Sequence, residues 1–107
     1  MSKWNVSKVT NMNYMFNECI NFDCDLSNWD VSNVVSMEFI FSNCDNFKGK
    51  GLDKWNVSNV KHTRYMFFEC PKFYCDLSDW DVSNVIDMQD MFYNCDSLKN
   101  KPSWYKT

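Results

Sequence analysis

The chain has 107 residues and a formal net charge of −3, with 45% hydrophobic and 18% aromatic residues. This length is typical of a single domain, and the apolar content excludes a disordered chain. Basic residues are not clustered as a nucleic-acid-binding surface requires, and no apolar run approaches the ~18 residues of a membrane span. We therefore expect no nucleic-acid partner and no membrane insertion.

Four units of about 25 residues make up the chain. Each unit opens on a tryptophan, in the phrases WNVSKV, WDVSNV, WNVSNV and WDVSNV, and carries a cysteine fifteen residues later. We interpret 1–107 as a single repeat domain with units at 4–28, 29–54, 55–79 and 80–104. The repeated positions predict a structural ladder formed by Trp4, Trp29, Trp55, Trp80, Cys19, Cys44, Cys70 and Cys95.

The first half of the chain predicts a short strand followed by a helix. Polar residues alternate with Leu26 over 22–29, as in a half-buried strand. Apolar residues then recur over 34–44 at positions i, i+3, i+7 and i+10, which is the spacing of one helix face. Ser32 stands just ahead of this stripe, so we expect it to cap the first turn of the helix.

The second half repeats the pattern, with a strand over 73–80, a capping Ser83 and a helix over 85–95. Pro102 falls where the third unit has Leu77, and it is expected to end the sheet because proline cannot donate a backbone hydrogen bond. One strand and one helix per repeat predict an α/β solenoid of about four strand–helix units, with a short parallel sheet on one face and helices on the other.

The phrase Trp-Asp-Val-Ser-Asn-Val, followed by Met-x-x-Met-Phe-x-x-Cys, carries a resemblance to a known family. At this period the sequence resembles the BspA-like leucine-rich-repeat surface-protein family, which includes the mycoplasma-type lipoprotein repeats. The similarity runs from Trp4 to about Leu98. It implies a right-handed leucine-rich-repeat-like solenoid that binds or adheres at cell surfaces, and no catalytic motif comes with it.

The cysteine that ends the apolar stripe of each unit is expected to be a reduced, buried thiol, because free cysteine behaves as a small apolar residue. Full pairing of all six cysteines would need a bridge between units two and four, beyond the ~7 Å reach of a disulfide. The alternative is a bridge within an odd unit, Cys19–Cys24 or Cys70–Cys75. Metal binding is disfavoured because equivalent positions of a stack lie along a line and do not converge.

No catalytic, cofactor or metal site is predicted. Asp25, Asp30, Asp76 and Asp81 occupy repeat-equivalent positions, whereas acid–base catalysis needs two carboxyl groups whose pKa values differ. We expect these aspartates to form hydrogen bonds within turns, with calcium binding as the alternative. The one histidine, His62, has no catalytic partner in sequence, and no nucleotide-binding motif occurs. We therefore expect a protein that is not an enzyme.

Specificity is expected in the residues that differ between units. The tryptophan ladder either packs at the bend of each unit or forms an exposed strip for a glycan or protein. We expect a binding or structural module that recognises a protein or glycan at a cell or particle surface. The alternative is a self-assembling or scaffold-capping component such as a minor virion protein, and an enzyme is the third possibility. The candidate binding residues are Glu38, Lys48, Lys50, Arg64, Tyr74, Gln89 and Tyr93.

The location of the protein depends on whether the chain is complete. Its first residues, MSKWNVSKVT, contain no apolar segment typical of a signal peptide. We therefore expect an intracellular or virion-associated protein if Met1 is the native start, and a cell-surface protein if the chain is a fragment.

Overall fold

Turns and segments without regular secondary structure make up nearly all of the structure, a computed structural model that describes residues 4–105. The helical structure in this range is a single short 3-10 helix, Leu52–Lys54. Backbone pairing of the strand type is limited, within the same residues, to isolated parallel bridges that join successive units. These bridges pair Asn11 with Ser36, Ser36 with His62, and His62 with Asp87.

The predicted α/β solenoid is therefore wrong. The segments 34–44 and 85–95 contain no helix, and the segments 22–29 and 73–80 contain no strand. Neither a parallel sheet nor a layer of helices is present within residues 4–105. The right-handed leucine-rich-repeat-like architecture implied by the resemblance is corrected in the same way.

Hydrogen bonds between units explain why the predicted helix of the second unit does not form. The N–H of Met37 donates to the carbonyl of His62 at 2.9 Å, and the N–H of Phe41 donates to that of Met66 at 3.0 Å. The N–H of Ile40, by contrast, closes a local turn onto the carbonyl of Met37 at 3.4 Å. Alternate N–H groups thus bond to the next unit, whereas a helix would bond every one of them within the segment.

Left-handed residues turn the backbone between these two kinds of hydrogen bond. In the second unit, Phe39 and Asn43 both have φ of 60°. A residue in this region interrupts a right-handed helix, because the helix requires negative φ at every position. The same four-residue spacing recurs in the other units. The non-glycine residues with positive φ among those described are Tyr14, Glu18, Phe39, Asn43, Tyr65, Glu69, Asp90 and Asn94.

A column of phenylalanine rings forms the centre of the core and keeps the units in register. Phe16, Phe41, Phe67 and Phe92 stack with successive centroid distances of 5.7, 5.7 and 5.6 Å. All four side chains are buried. A second column packs beside the first and consists of Phe22, Phe47 and Phe73.

Trp29, Trp55 and Trp80 are buried, and the indoles of Trp55 and Trp80 donate to carbonyls that lie just before the preceding tryptophan in the chain. The indole N–H of Trp55 donates to the carbonyl of Leu26 at 2.9 Å, and that of Trp80 to the carbonyl of Leu52 at 2.8 Å. Trp29 stacks on Trp55 with ring planes 2° apart. The indoles of Trp55 and Trp80 therefore satisfy backbone carbonyls about one repeat length earlier in the chain, and the stacked rings fill the space between units.

The two ends of the stack differ. At the last unit, Trp104 stacks on Trp80 at 6.3 Å, and Tyr105 packs edge-on against Phe92 at 5.0 Å. Pro102 does not end a sheet as predicted; its carbonyl accepts the N–H of Tyr105 at 3.0 Å in the turn that brings both rings onto the stack. At the first unit, the side chain of Trp4 is 54% exposed.

Ser32 and Ser83 are not helix caps, contrary to the prediction. The carboxylate of Asp30 accepts the N–H of Ser32 at 3.0 Å and its hydroxyl at 2.6 Å. Asp81 binds Ser83 in the same way, at 3.0 and 2.7 Å. The side-chain amide of Asn59 then donates to the carbonyl of Ser32 at 2.7 Å. The repeated phrase thus forms a turn and bonds it to the preceding unit.

Candidate functional site

Five aromatic side chains form a continuous row across all four units at the protein surface. We call this row the aromatic strip, and its members in order are Tyr14, Phe39, Tyr65, Phe68 and Tyr93. Neighbouring ring centroids lie 4.7, 4.7, 5.5 and 5.0 Å apart. The side chains of Tyr14 and Tyr93 are 56% and 49% exposed, and the three between them are half-buried.

The backbone conformation aligns the first three rings of the strip. Tyr14, Phe39 and Tyr65 occupy equivalent left-handed positions, with φ of 64°, 60° and 58°. Their side chains therefore leave successive units in the same direction and stack face to face. The fourth unit has an aspartate at this position, and the row continues instead through Phe68, which meets Tyr65 edge-on, and Tyr93.

Charged side chains border the aromatic strip. We call Glu38, His62, Arg64 and Asp87 the charged cluster. The Nε of Arg64 lies 3.0 Å from Oε2 of Glu38 and 4.0 Å from Oδ2 of Asp87. Nδ1 of His62 lies 3.3 Å from Oδ1 of Asp87.

The ion pair between Arg64 and Glu38 keeps Arg64 charged but contributes little to the free energy of folding. The hydrogen bond and charge of Glu38 raise the pKa of Arg64, so the guanidinium stays charged. The Arg64 side chain is 43% exposed, and exposed ion pairs contribute only ~0–1 kcal/mol to the free energy of folding. Stability alone therefore gives little reason for gathering these charges on one surface.

Four of the predicted binding residues lie on this face of the molecule. Glu38 and Arg64 belong to the charged cluster, and Tyr93 ends the aromatic strip. Gln89 is exposed at the position equivalent to Arg64, and its carbonyl accepts the N–H of Tyr65 at 2.9 Å. The unit stacking thus brings together residues that are widely separated in sequence.

The other three predicted binding residues line a separate groove of about 410 Å³. Nζ of Lys48 forms an ion pair with Oδ2 of Asp23 at 3.0 Å, and the side chain of Tyr74 is 61% exposed. Lys50 is also exposed. Lysine and aspartate side chains therefore line this groove, whereas the aromatic strip itself contains no charged residue.

Sequence reasoning missed the partners that complete the charged cluster and most of the aromatic strip. The sequence predicts no catalytic partner for His62 and does not single out Asp87, because no short motif contains either residue. The signal that identifies them is the register itself, since aligning the units on tryptophan places Ser36, His62 and Asp87 at one repeated position. The bridges between these residues place their backbones side by side.

Three thiols of the predicted cysteine ladder, those of Cys44, Cys70 and Cys95, are buried and hydrogen-bonded between units, whereas Cys19 is half-buried. The Sγ–H of Cys44 donates to the carbonyl of Phe16 at 3.0 Å, and that of Cys95 to the carbonyl of Phe67 at 3.0 Å. Burial raises the pKa of Cys44 to about 12 and that of Cys95 to about 11, and it also raises the pKa of Cys70. All six cysteines are free, so no bridge forms within an odd unit.

This arrangement predicts two classes of thiol reactivity. In the folded, reduced protein we expect Cys44, Cys70 and Cys95 to react slowly with an aromatic disulfide reagent at pH 8, because each is buried and protonated. Burial also raises the pKa of the half-buried Cys75, which should therefore react slowly as well. The half-buried thiols Cys19 and Cys24 are expected to react faster, and unfolding in urea should make all six equivalent. Six equal reaction rates in the folded protein would contradict the burial of Cys44, Cys70 and Cys95.

Comparison with known proteins identifies one family. The profile described as "Mycoplasma protein of unknown function, DUF285" matches residues 1–105. No curated protein and no solved structure matches the chain. The match agrees with the mycoplasma-type repeat expected from the sequence, whereas the leucine-rich-repeat assignment finds no support in it. Within residues 4–105, no helix is long and apolar enough to cross a membrane.

Proposed function

The chain belongs to the family described as Mycoplasma protein of unknown function, DUF285, and we propose that it is a non-enzymatic module that binds a protein at a cell or particle surface. The aromatic strip is the observation that carries this proposal. Tyrosine is enriched at the energetically important positions of protein interfaces, as is arginine. A row of tyrosine and phenylalanine rings bordered by Glu38 and Arg64 offers both kinds of contact on one surface.

The ring geometry favours a protein ligand over a glycan. Sugars bind aromatic side chains by stacking on an open ring face. In the strip, Phe39 faces Tyr14 with planes 8° apart and faces Tyr65 with planes 19° apart. Both faces of the Phe39 ring are therefore covered by neighbouring rings, which leaves its edge for contact with a ligand. An extended peptide segment can pack along such edges while its polar groups meet the charged cluster.

The environment of the repeated aspartates supports a role without catalysis. Ser27 lowers the pKa of Asp25, and Ser32, Ser78 and Ser83 do the same for Asp30, Asp76 and Asp81 through backbone and side-chain hydrogen bonds. All four carboxyl groups thus shift in one direction for one reason. A catalytic pair needs pKa values that are pushed apart.

A peptide library displayed on phage tests the proposal directly. We expect peptides selected on the folded protein to lose affinity by roughly tenfold or more when Tyr14→Ser and Tyr93→Ser are combined, because both side chains are exposed ends of the strip. Tyr74→Ser is the matched control, since Tyr74 is equally exposed but lies outside the strip, and it should leave affinity unchanged. Selected peptides that depend on Tyr74 and not on the strip would overturn the proposal.

A scaffold-capping role is the second candidate, and the difference between the two ends favours it. Trp4 is 54% exposed at the first unit, whereas Trp104 and Tyr105 cover the last unit. An exposed aromatic side chain at the first unit and a covered last unit would let the module bind a larger assembly through its first unit. Light scattering at high concentration tests the self-assembling form of this role. A monomer for both the wild-type protein and the Trp104→Ser variant would count against it.

A further inference from the structure

Three potential metal ligands converge in the charged cluster. Glu38, His62 and Asp87 each offer one ligand atom, and these atoms all lie within 4.8 Å of one another. Nδ1 of His62 lies 3.3 and 3.4 Å from the two carboxylate oxygens of Asp87. All three side chains are half-buried, so they are held in place but open to solvent.

Convergence is possible because the three residues are not equivalent in the repeat. His62 and Asp87 share one repeated position and are bridged through their backbones. Glu38 comes from the unit before His62, two residues further along the repeat, at the position that Arg64 occupies in the third unit. The expectation that ligands of a stack lie along a line holds for equivalent positions only. An offset of two residues moves the Glu38 carboxylate sideways toward the other two groups.

We propose that Glu38, His62 and Asp87 form a binding site for a divalent transition metal of the Zn²⁺ type. One imidazole and two carboxylates are ligands that Zn²⁺ accepts, and a three-ligand site leaves a coordination position open. Ligand bonds of about 2.0–2.2 Å place neighbouring ligand atoms of a tetrahedral site roughly 3.3–3.6 Å apart. The separation between His62 and Asp87 already has this value, and only the Glu38 carboxylate has to move closer.

Arg64 is the cation that the metal has to replace. Its Nε lies 3.0 Å from the Glu38 carboxylate and 4.0 Å from that of Asp87, so the guanidinium offsets one of the two carboxylate charges without metal. The Arg64 side chain is 43% exposed and can swing into solvent. Because an exposed ion pair of this kind contributes little to folding, its loss on metal binding is tolerated. The site shares Glu38 and Arg64 with the proposed protein-binding surface, but metal binding does not require that a protein bind there.

Zinc titration of the reduced protein, followed by the NMR signals of the His62 ring, tests the proposal. His62 is the only histidine of the chain, so its ring signals report on this site alone. We expect these signals to shift on addition of Zn²⁺. By calorimetry, His62→Gln and Glu38→Gln should each weaken binding at least roughly tenfold.

The Arg64→Gln variant distinguishes this site from non-specific binding. Removal of the competing guanidinium should tighten Zn²⁺ binding by roughly three- to fivefold, whereas Lys61→Gln, which changes the net charge equally, should have no such effect. Unshifted His62 signals, or equal affinity of the wild-type and His62→Gln proteins, would overturn the proposal. A thiolate-to-metal absorption band with Co²⁺ would do the same, because it would place the metal at cysteine.

Discussion

Phe41→Ala is expected to remove about 3–5 kcal/mol from the free energy of unfolding. Phe41 is fully buried at the centre of the phenylalanine column. Its ring lies 5.7 Å from Phe16, 4.3 Å from Phe47 and 5.7 Å from Phe67, so its loss leaves a cavity bordered by three units. The free energy of unfolding of a single domain is about 5–15 kcal/mol. The variant should therefore be close to the limit of folding. Urea unfolding followed by tryptophan fluorescence measures the loss.

Phe39→Asn is the matched control for this variant. Phe39 is two residues away and half-buried in the aromatic strip, with φ of 60°. Asparagine adopts the left-handed region more readily than most residues and already occupies it at Asn43 and Asn94. We expect the control to lose less than about 1.5 kcal/mol. Equal losses for Phe41→Ala and Phe39→Asn would show that the phenylalanine column is not the centre of the core.

Gly51→Ala is expected to destabilise the protein by at least about 2 kcal/mol. Gly51 has φ of +92°, and a Cβ at this position would lie 2.3 Å from the backbone nitrogen of Ser27 and 2.6 Å from Oδ1 of Asp25. Both the left-handed backbone and the contact with the preceding unit therefore exclude a side chain. Thermal unfolding followed by near-ultraviolet circular dichroism measures the effect.

The second unit is one residue longer than its neighbours, and the extra residue lies close to Gly51. Leu26 and Leu52 are 26 residues apart, whereas Leu52 and Leu77 are 25 apart. The extra residue lies in the segment that contains both glycines of the chain, Gly49 and Gly51, and both have positive φ. Lys50→Ala, on an exposed side chain between them, is the control and should change stability by less than about 0.5 kcal/mol. Similar losses for the two variants would contradict the close approach at Gly51.

The repeat length and the inward-facing residues could be predicted from the sequence, whereas the backbone path could not. Met37, Ile40, Phe41 and Cys44 are all fully buried, and their spacing is that of one helix face. The turns of this fold bury residues at the same spacing. What separates the two folds is the direction of alternate N–H groups, which depends on left-handed φ at residues such as Phe39. A bulky aromatic residue rarely adopts that conformation, so nothing in the pattern indicates it.

The candidate site was predictable only in part for a related reason. Comparing units identified Glu38, Arg64 and Tyr93, because they differ from their equivalents in other units. The contact between Arg64 and Glu38, at 3.0 Å, depends on the stacking of adjacent units. His62 and Asp87 become neighbours through the same stacking. Residues whose partners lie in the adjacent unit are recognised when the units are aligned and every position is compared, including positions outside the repeated phrase.

Hydrogen-bond scalar couplings measured by NMR test most directly the fold in which turns of successive units are stacked and hydrogen-bonded to one another. The fold predicts a coupling between the amide nitrogen of Phe41 and the carbonyl carbon of Met66, in the next unit, because the N···O distance of this hydrogen bond is 3.0 Å. The N–H of Met37 should show the equivalent coupling to His62. A coupling from the Phe41 nitrogen to the carbonyl carbon of Met37, as in a helix, would contradict the fold and with it the aromatic strip and the charged cluster.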